Sequence, residues 1–530
     1  MSAQLSSAWV TKCLLEQCEK NSSRTALSIL KLEDNGLCWS VDITFEAFQK
    51  RVLQFNQGLR VANLVPGSKV ILAANPSPEL FAFAVAALMM GFEVLVSDRE
   101  LSSEMVRVWV SSEQPSVVVA PGSGYRFWFL DENLRAVPLK LSGDKGGFLI
   151  RSLSVFGSDL EEPSLENRLS DENGISIVGV QKDRVKYLYR KRYSQLHQDA
   201  RKFFDLFPAH EKQVDLTEYP IQVLMNLMVG ASSLYCWRAS QTVESNDFTF
   251  LIPFIREHGV SSVTVSPEFM KRIALNLNSR RESLGRVRRV AVGGTPMPKY
   301  LSAATRTAFP NAEGFSFCEI PDAGLVARAS MRDIRQLNKP GYLAGKLRNS
   351  RSLKILDIPR EVTELREKEL DSFSVRIGDV GELVIEGNSR EELVDSGVGY
   401  CTSWTRTGEL GYMDDDGFLW LVGRTVDNIV RAGRTLPPYP AEARVEILPE
   451  VARAALISSS SYPEGVIVIE PKLGLQALPE HSIVEAVSSA LALSIYEGVP
   501  IRLVKKIPLC GYGEANVDRK ALQEEVRALD

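Results

Sequence analysis

Apolar positions along this chain follow two alternating rhythms. Residues 5–20 and 45–59 repeat them at helical spacing, whereas 69–73, 93–97 and 116–120 are short apolar runs bounded by turn residues. Residues 79–90 read as a helix, and the wholly apolar stretch 80–92 stops at Glu93, short of the roughly 20 residues that span a bilayer. A buried helix is therefore expected there, not a membrane span. The strand cadence returns at 174–180, 261–265 and 288–292, which predicts parallel sheets with crossover helices in two wound layers. From Gly381 the texture changes to G-E-L-V-I-E-G, followed by a hairpin turning at residues 414–417, which predicts an antiparallel β subdomain. Beyond Arg424, strands at 448–458, 465–469 and 502–506 and a helix at 481–497 make an α+β piece of about one hundred residues, a usual domain size. The expected fold is α/β, with a large amino-terminal region, 1–424, and a small carboxy-terminal domain, 425–530.

Composition narrows the classes. At 530 residues, two or more cores are expected. The net charge of -4 supplies no basic field of the kind that binds nucleic acid. Seven cysteines (Cys13, Cys18, Cys38, Cys236, Cys318, Cys401 and Cys510) are odd in number and lack a metal-type CxxC, which fits a reducing, cytoplasmic compartment. The start of the chain has no basic, apolar and small-residue succession that would direct export.

The most informative segment is 405–424, T-R-T-G-E-L-G-Y-M-D-D-D-G-F-L-W-L-V-G-R, with Glu409 and Arg424 as polar anchors. It resembles the signature of the adenylate-forming superfamily of acyl-CoA synthetases, peptide-synthetase adenylation domains and related ligases. The layout of a large region and a small mobile lid resembles that superfamily over nearly the whole chain. Segments 214–230, S-P-E-F-M at 266–270 and V-G-G-T-P-M-P at 292–298 are closest in character to the ligases that close β-hydroxy acids to β-lactones in olefin synthesis. In the residues themselves, Gly293, Gly294 and Thr295 form a strand-to-helix turn, before a helix starting near Met297, where backbone can approach a flat ligand. The resemblance puts adenine and the acyl substrate there. In F-S-F-C-E, Phe315 to Glu319, it makes Glu319 a magnesium carboxylate. Cys318 stands where the family has threonine, as a weaker donor, and acts as a covalent acyl acceptor only if a base or positive field makes its thiolate.

Several departures fall on one half-reaction. Between Ile175 and Tyr193 the resemblance calls for a Ser/Thr/Gly-rich phosphate loop, but only Gly179 remains of its glycines, and Lys182, Arg184, Lys186, Arg190, Lys191 and Arg192 stand in its place. These six read either as a solvated charged helix face or, through Arg190 and Arg192 above all, as a phosphate grip for nucleotide or coenzyme A. Glu409 replaces the aspartate that holds ribose in the family, and Val426 takes the hinge position. Asn516, in G-E-A-N-V-D-R-K-A-L, occupies the place of the lysine that supports attack on the α-phosphate, with Lys520 four residues on. ATP-dependent adenylation is thus expected to be impaired, with ATP and magnesium in doubt, and a coenzyme A or phosphopantetheine thioester becomes the expected substrate. Three functions follow: transfer or cyclisation of an activated acyl group, a ligase or β-lactone synthetase with a rebuilt phosphate site, and a silent acyl-binding scaffold. An acyl substrate and an acyl carrier protein or pathway enzyme are the expected partners. Leu224, Met225, Leu227, Met228 and Val229 are either a chain pocket or ordinary core.

Overall fold

The computed structural model describes residues 8–32, 38–97, 101–125, 128–144, 150–158, 174–180, 185–209, 212–236, 248–320, 324–347, 353–359, 362, 367–386, 404–472, 479–510 and 516–529. Two compact units divide the chain, one of Met1–Glu244 with Thr249–Thr264 and one of Ser245–Phe248 with Val265–Asp530. The boundary expected after Arg424 lies inside the second unit.

The first unit is doubly wound, as the alternation of periods predicts. Strand Lys69–Leu72 lies parallel between Glu93–Ser97 and Val117–Ala120, and Glu93–Ser97 pairs in turn with Gly174–Val180. The helix Pro78–Met89 is buried almost all round, which is why its sequence carries no polar face; Ser77 caps it by accepting from Leu80 N at 3.1 Å, and Pro78 opens it. Phe83 on that helix meets the edge of Phe55 at 5.3 Å between ring centres. A second, mixed sheet runs from Cys38–Thr44 through Thr25–Leu32, Ser232–Tyr235 and Val214–Thr217 to Ser262–Val265. Leu224, Met225, Leu227 and Met228 are buried on the helix Pro220–Met228 in this unit, in the manner of core residues.

One expectation needs correcting here. Residues 185–192 are not a charged helix face but a strand, antiparallel to Gly174–Val180, with Ser176 opposite Arg190 and Gly174 opposite Arg192. The alternating β-branched and aromatic run V-K-Y-L-Y won over the cationic composition. Lys182 and Arg184 lie outside the described residues, and of Lys186, Arg190, Lys191 and Arg192 only the backbone is described.

In the second unit, strand Arg289–Gly293 pairs in parallel with Glu313–Ile320. From there the sheet is antiparallel, through Gly324–Ser330, Tyr342–Leu347, Phe418–Arg424, Trp404–Met413 and Gly381–Glu386 to Leu353–Leu356. The 414–417 turn closes around Asp414, whose Oδ1 accepts from Asp416 N at 3.0 Å and Phe418 N at 2.9 Å, while Oδ2 accepts from Trp420 Nε1 at 2.8 Å. Gly417 takes φ +75°, a conformation that favours glycine. Further on, Val451–Ile457 and Val466–Pro471 pair antiparallel, and Ile501–Leu503 adds in parallel. The helix Glu480–Leu491 ends six residues before the expected 497, because Leu493 turns into the left-handed region at φ +57°. Among the described residues no helix is long and apolar enough to cross a membrane.

Candidate functional site

The strand-to-helix turn at 293–295 owes its glycines to packing and backbone shape. A Cβ on Gly293 would stand 2.2 Å from the ring of Phe317, its partner across the parallel strands, and Gly294 has φ +94°. The helix that follows begins at Lys299, not near Met297, because Pro298 occupies its cap in extended backbone. Thr295 alone of the three faces a cavity.

Glu409 and Arg424 sit directly opposite each other across two antiparallel strands, and Arg424 Nε donates to Glu409 Oε1 at 2.7 Å. Burial raises the Glu409 carboxyl against the opposing pull of Arg424, and the carboxylate in turn raises the Arg424 guanidinium. The anchors recognised in the sequence are therefore partners of one another. Phe315, Cys318 and Glu319 follow one another on strand Glu313–Ile320, with Arg328 lying 4.3 Å over the Phe315 ring. Burial, then the carboxylates of Glu409 and Glu319, push the Cys318 thiol up to about 12, so it stays protonated near neutral pH. That opposes the covalent acyl-acceptor role. Glu319 has no companion group of three or more metal-ligating side chains among the described residues; a magnesium ion there would take most of its ligands from phosphate and water.

The cavity itself encloses about 120 Å³ and is walled by parts of the second unit. It brings together three residues expected from sequence, Thr295, Arg424 and Asn516. Gly293, Gly294, Phe315, Cys318, Glu319 and Glu409 are not among its walls, and Arg190 and Arg192 belong to the first unit. Asn516 arrives on a two-residue strand paired with Leu509–Cys510.

The remaining charged walls were not found by sequence reasoning. Arg453 donates through Nη2 to Glu268, which also meets Arg272 Nε at 3.4 Å on its own helix. Lys271 Nζ donates to Ala452 O at 3.0 Å. Although burial works against its charge, Arg453, Lys271 and Arg272 hold the Glu268 carboxyl down at about 2. Arg519 donates to Glu442 Oε1 and to Leu456 O, both at 2.8 Å, and lies 3.3 Å from Asp427. Tyr342 donates to Glu446 Oε2 at 2.9 Å, and Ala454 N donates to the other oxygen at 3.3 Å. The available signals were the four-residue spacings Glu268 to Arg272 and Glu442 to Glu446, which put each pair on one helix face.

Chemically, this is a polar chamber whose cations are already matched by carboxylates. A phosphate entering it would meet guanidinium groups that are already engaged.

Wound sheets, an antiparallel continuation and a small α+β piece contributing Asn516 make up the architecture. Residues 14–168 match the family model described as AMP-binding enzyme. The 4-coumarate–CoA ligase 3 of Oryza sativa subsp. japonica is 27% identical over 42% of this chain and 40% of its own length, so the matched span is well under half of that relative. The 2-succinylbenzoate–CoA ligase of Bacillus licheniformis is 27% identical over 38% of this chain and 39% of its own. Among solved structures, the anthranilate–CoA ligase AuaEII in complex with anthranoyl-AMP superposes with a TM-score of 0.77 at 15% identity, covering 98% of this chain and 97% of that one. The amide bond synthetase McbA from Marinactinospora thermotolerans gives 0.72 at 17% identity, covering 97% and 99%. The chain has the fold of these two solved enzymes.

Proposed function

We propose that this chain handles acyl groups on an adenylate-forming scaffold with ATP-dependent adenylation impaired, acting on a pre-activated thioester of coenzyme A or phosphopantetheine. The reaction is transfer of the acyl group to or from coenzyme A or a carrier protein, or cyclisation in the manner of the β-lactone-forming subgroup. The observation that carries this reading is Asn516 at the cavity wall, where the resemblance calls for lysine. A neutral amide there forgoes charge stabilisation commonly worth a hundred- to a thousandfold, or roughly 3–4 kcal/mol. Further support comes from Glu409, bound to Arg424 rather than presented to a ribose, and from cations engaged by Glu268 and Glu442. In this proposal Val426, 80% exposed just after Arg424, is the hinge of a lid formed by 425–530.

A second reading is favoured by the relatives, which are CoA ligases and an amide bond synthetase by name. The o-succinylbenzoate–CoA synthetase of Bacillus subtilis, a structural neighbour, has been solved with ATP and magnesium. An ATP-dependent acyl ligase with a phosphate site rebuilt on Arg190 and Arg192 would share their chemistry. The experiment titrates the protein with ATP and magnesium, following pyrophosphate release, beside a panel of acyl thioesters without ATP. Thioester turnover without ATP is expected. Tight ATP binding with pyrophosphate release sinks the first reading in favour of the second, and thioester binding without turnover leaves the silent scaffold.

A further inference from the structure

Arginines crowd one end of the sheet in the second unit. Residues 280–289, R-R-E-S-L-G-R-V-R-R, hold five arginines, one glutamate and no lysine, in a chain whose net charge is -4. Local structure gathers them. The helix Pro267–Ser279 runs into this loop, Leu284 N donates to Ala308 O at 2.8 Å, and Asn311 Nδ2 donates to Gly285 O at 2.9 Å. Leu284 and Val287 are buried, so apolar residues pin the loop while Arg281, Arg286 and Arg288 stand exposed. The helix Lys299–Ala308, whose end the loop covers, adds exposed Arg306 in its last turn.

Part of this charge is used within the fold. Arg280 lies 3.7 Å from Glu282, and Arg289 is the register partner of Glu313. One cation near each helix carboxyl end also answers the helix dipole. The surplus has no such use: Arg281, Arg286, Arg288 and Arg306 have no carboxylate partner among the described residues. Arg281 even takes φ +56°, left-handed backbone that glycine adopts with less strain. Like charges gathered on an exposed face repel one another until a partner neutralises them.

The chemistry of the patch selects that partner. Guanidinium is a planar fork that holds carboxylates two bonds at a time and is enriched at protein interfaces, whereas a diffuse anionic field is met as well by lysine. An anionic membrane calls for aromatic or large apolar residues beside the cations. Among the described residues of 267–313 the exposed large apolar side chain is Leu275 alone, 42% exposed. We propose that this arginine face docks an acidic partner protein, through a helix or segment that presents a row of carboxylates. Strand Arg289–Gly293 leads from the patch toward Thr295 at the cavity, five residues or roughly 17 Å. The partner therefore anchors at the far end of the sheet from the candidate site, as an assembly partner and not as the donor of an acyl group, and it does so whichever acyl chemistry the site performs.

Fluorescence anisotropy of the full-length protein with a labelled helical peptide tests this. The peptide carries glutamates at four-residue spacing, and a control of the same length carries glutamines. The glutamate peptide is expected to bind on the order of tenfold or more tighter than the control. Arg286→Glu combined with Arg288→Glu is expected to weaken it by a further factor on the order of ten or more, and Arg280→Gln by under about twofold. Arg286→Lys combined with Arg288→Lys, which keeps the charge and removes the fork, is expected to weaken it about threefold. Phosphatidylserine vesicles and a single-stranded oligonucleotide are expected to compete poorly with the peptide. The proposal is overturned by a native protein that does not distinguish the two peptides, by a lysine pair that binds like the native protein, or by vesicles or oligonucleotide that bind more tightly than the peptide. Should the glutamate pair fail to fold, the lysine pair carries the test, since it leaves exposed cations in place.

Discussion

Two sets of buried guanidinium–carboxylate contacts in the second unit are built differently. In the antiparallel sheet, Arg406 grips Glu382 with Nε 3.1 and 3.0 Å from its two oxygens and Nη2 2.5 Å from one, and its Nη1 donates to Val362 O at 2.7 Å. Gly408 N adds a further bond to Glu382 at 3.1 Å, and the side chains are 12% and 3% exposed. At the cavity, by contrast, Glu268 is shared among Arg453, Arg272 and Lys271, and Arg519 is divided between Glu442 and Asp427. The sheet pair is exclusive and spans the register shift between Glu382 and Val384, so it fixes how two strands meet. The cavity charges have several partners each and surround space. An exclusive buried pair locks a structure, whereas a shared network lets one partner leave without stranding the other.

The strongest way to break this comparison is to delete one member of the exclusive pair. Arg406→Ala leaves the Glu382 carboxylate buried and unpaired, and is expected to cost about 3–5 kcal/mol of global stability. Denaturant unfolding read as a midpoint shift at constant slope measures it. A loss under about 1 kcal/mol would show that Glu382 finds water or protonates cheaply, and the distinction between the two arrangements would collapse.

How much of this was legible before the structure depends on the range of the interaction. Strands Glu93–Ser97 and Gly174–Val180 fall where apolar runs put them, because period and burial are local properties of the chain. The pairing of Glu409 with Arg424 was half visible: both were marked as anchors, but only strand register shows that they face each other. Arg406 went unnoticed in the same segment, since nothing local reveals that Glu382 lies within its reach on the neighbouring strand, where Val384 is its register partner. Glu268 and Arg453 are 185 positions apart, and a charged residue on a helix face reads as solvated until its partner is known. Hydrophobic pattern tells which way a residue points, not which charge meets it there.

Gly293→Ala sharpens the comparison at intermediate cost. Its new methyl would meet the Phe317 ring at 2.2 Å, and over-packing of this kind is expected to destabilise by about 1–3 kcal/mol. Thermal unfolding checks it. If the variant unfolds like the native protein, the ring moves aside freely, and the glycine is there to let a ligand approach instead of to pack the sheet.

The smallest structural effect is expected from Asn516→Lys. Its side chain is only partly buried on a two-residue strand at the mouth of the shared network, so stability should change by no more than about 0.5 kcal/mol. Placing an ammonium there tests the proposal that Asn516 stands where an adenylating enzyme would carry a lysine. A lysine alone supplies neither the close-approaching amides that a triphosphate needs nor a carboxylate free of Arg424. Pyrophosphate release from ATP and an acyl acid is therefore expected to stay undetectable in the variant. Should it appear at a substantial rate, the reading of impaired adenylation fails, and the shared network around Glu268 and Arg519 must open readily enough to admit a nucleotide.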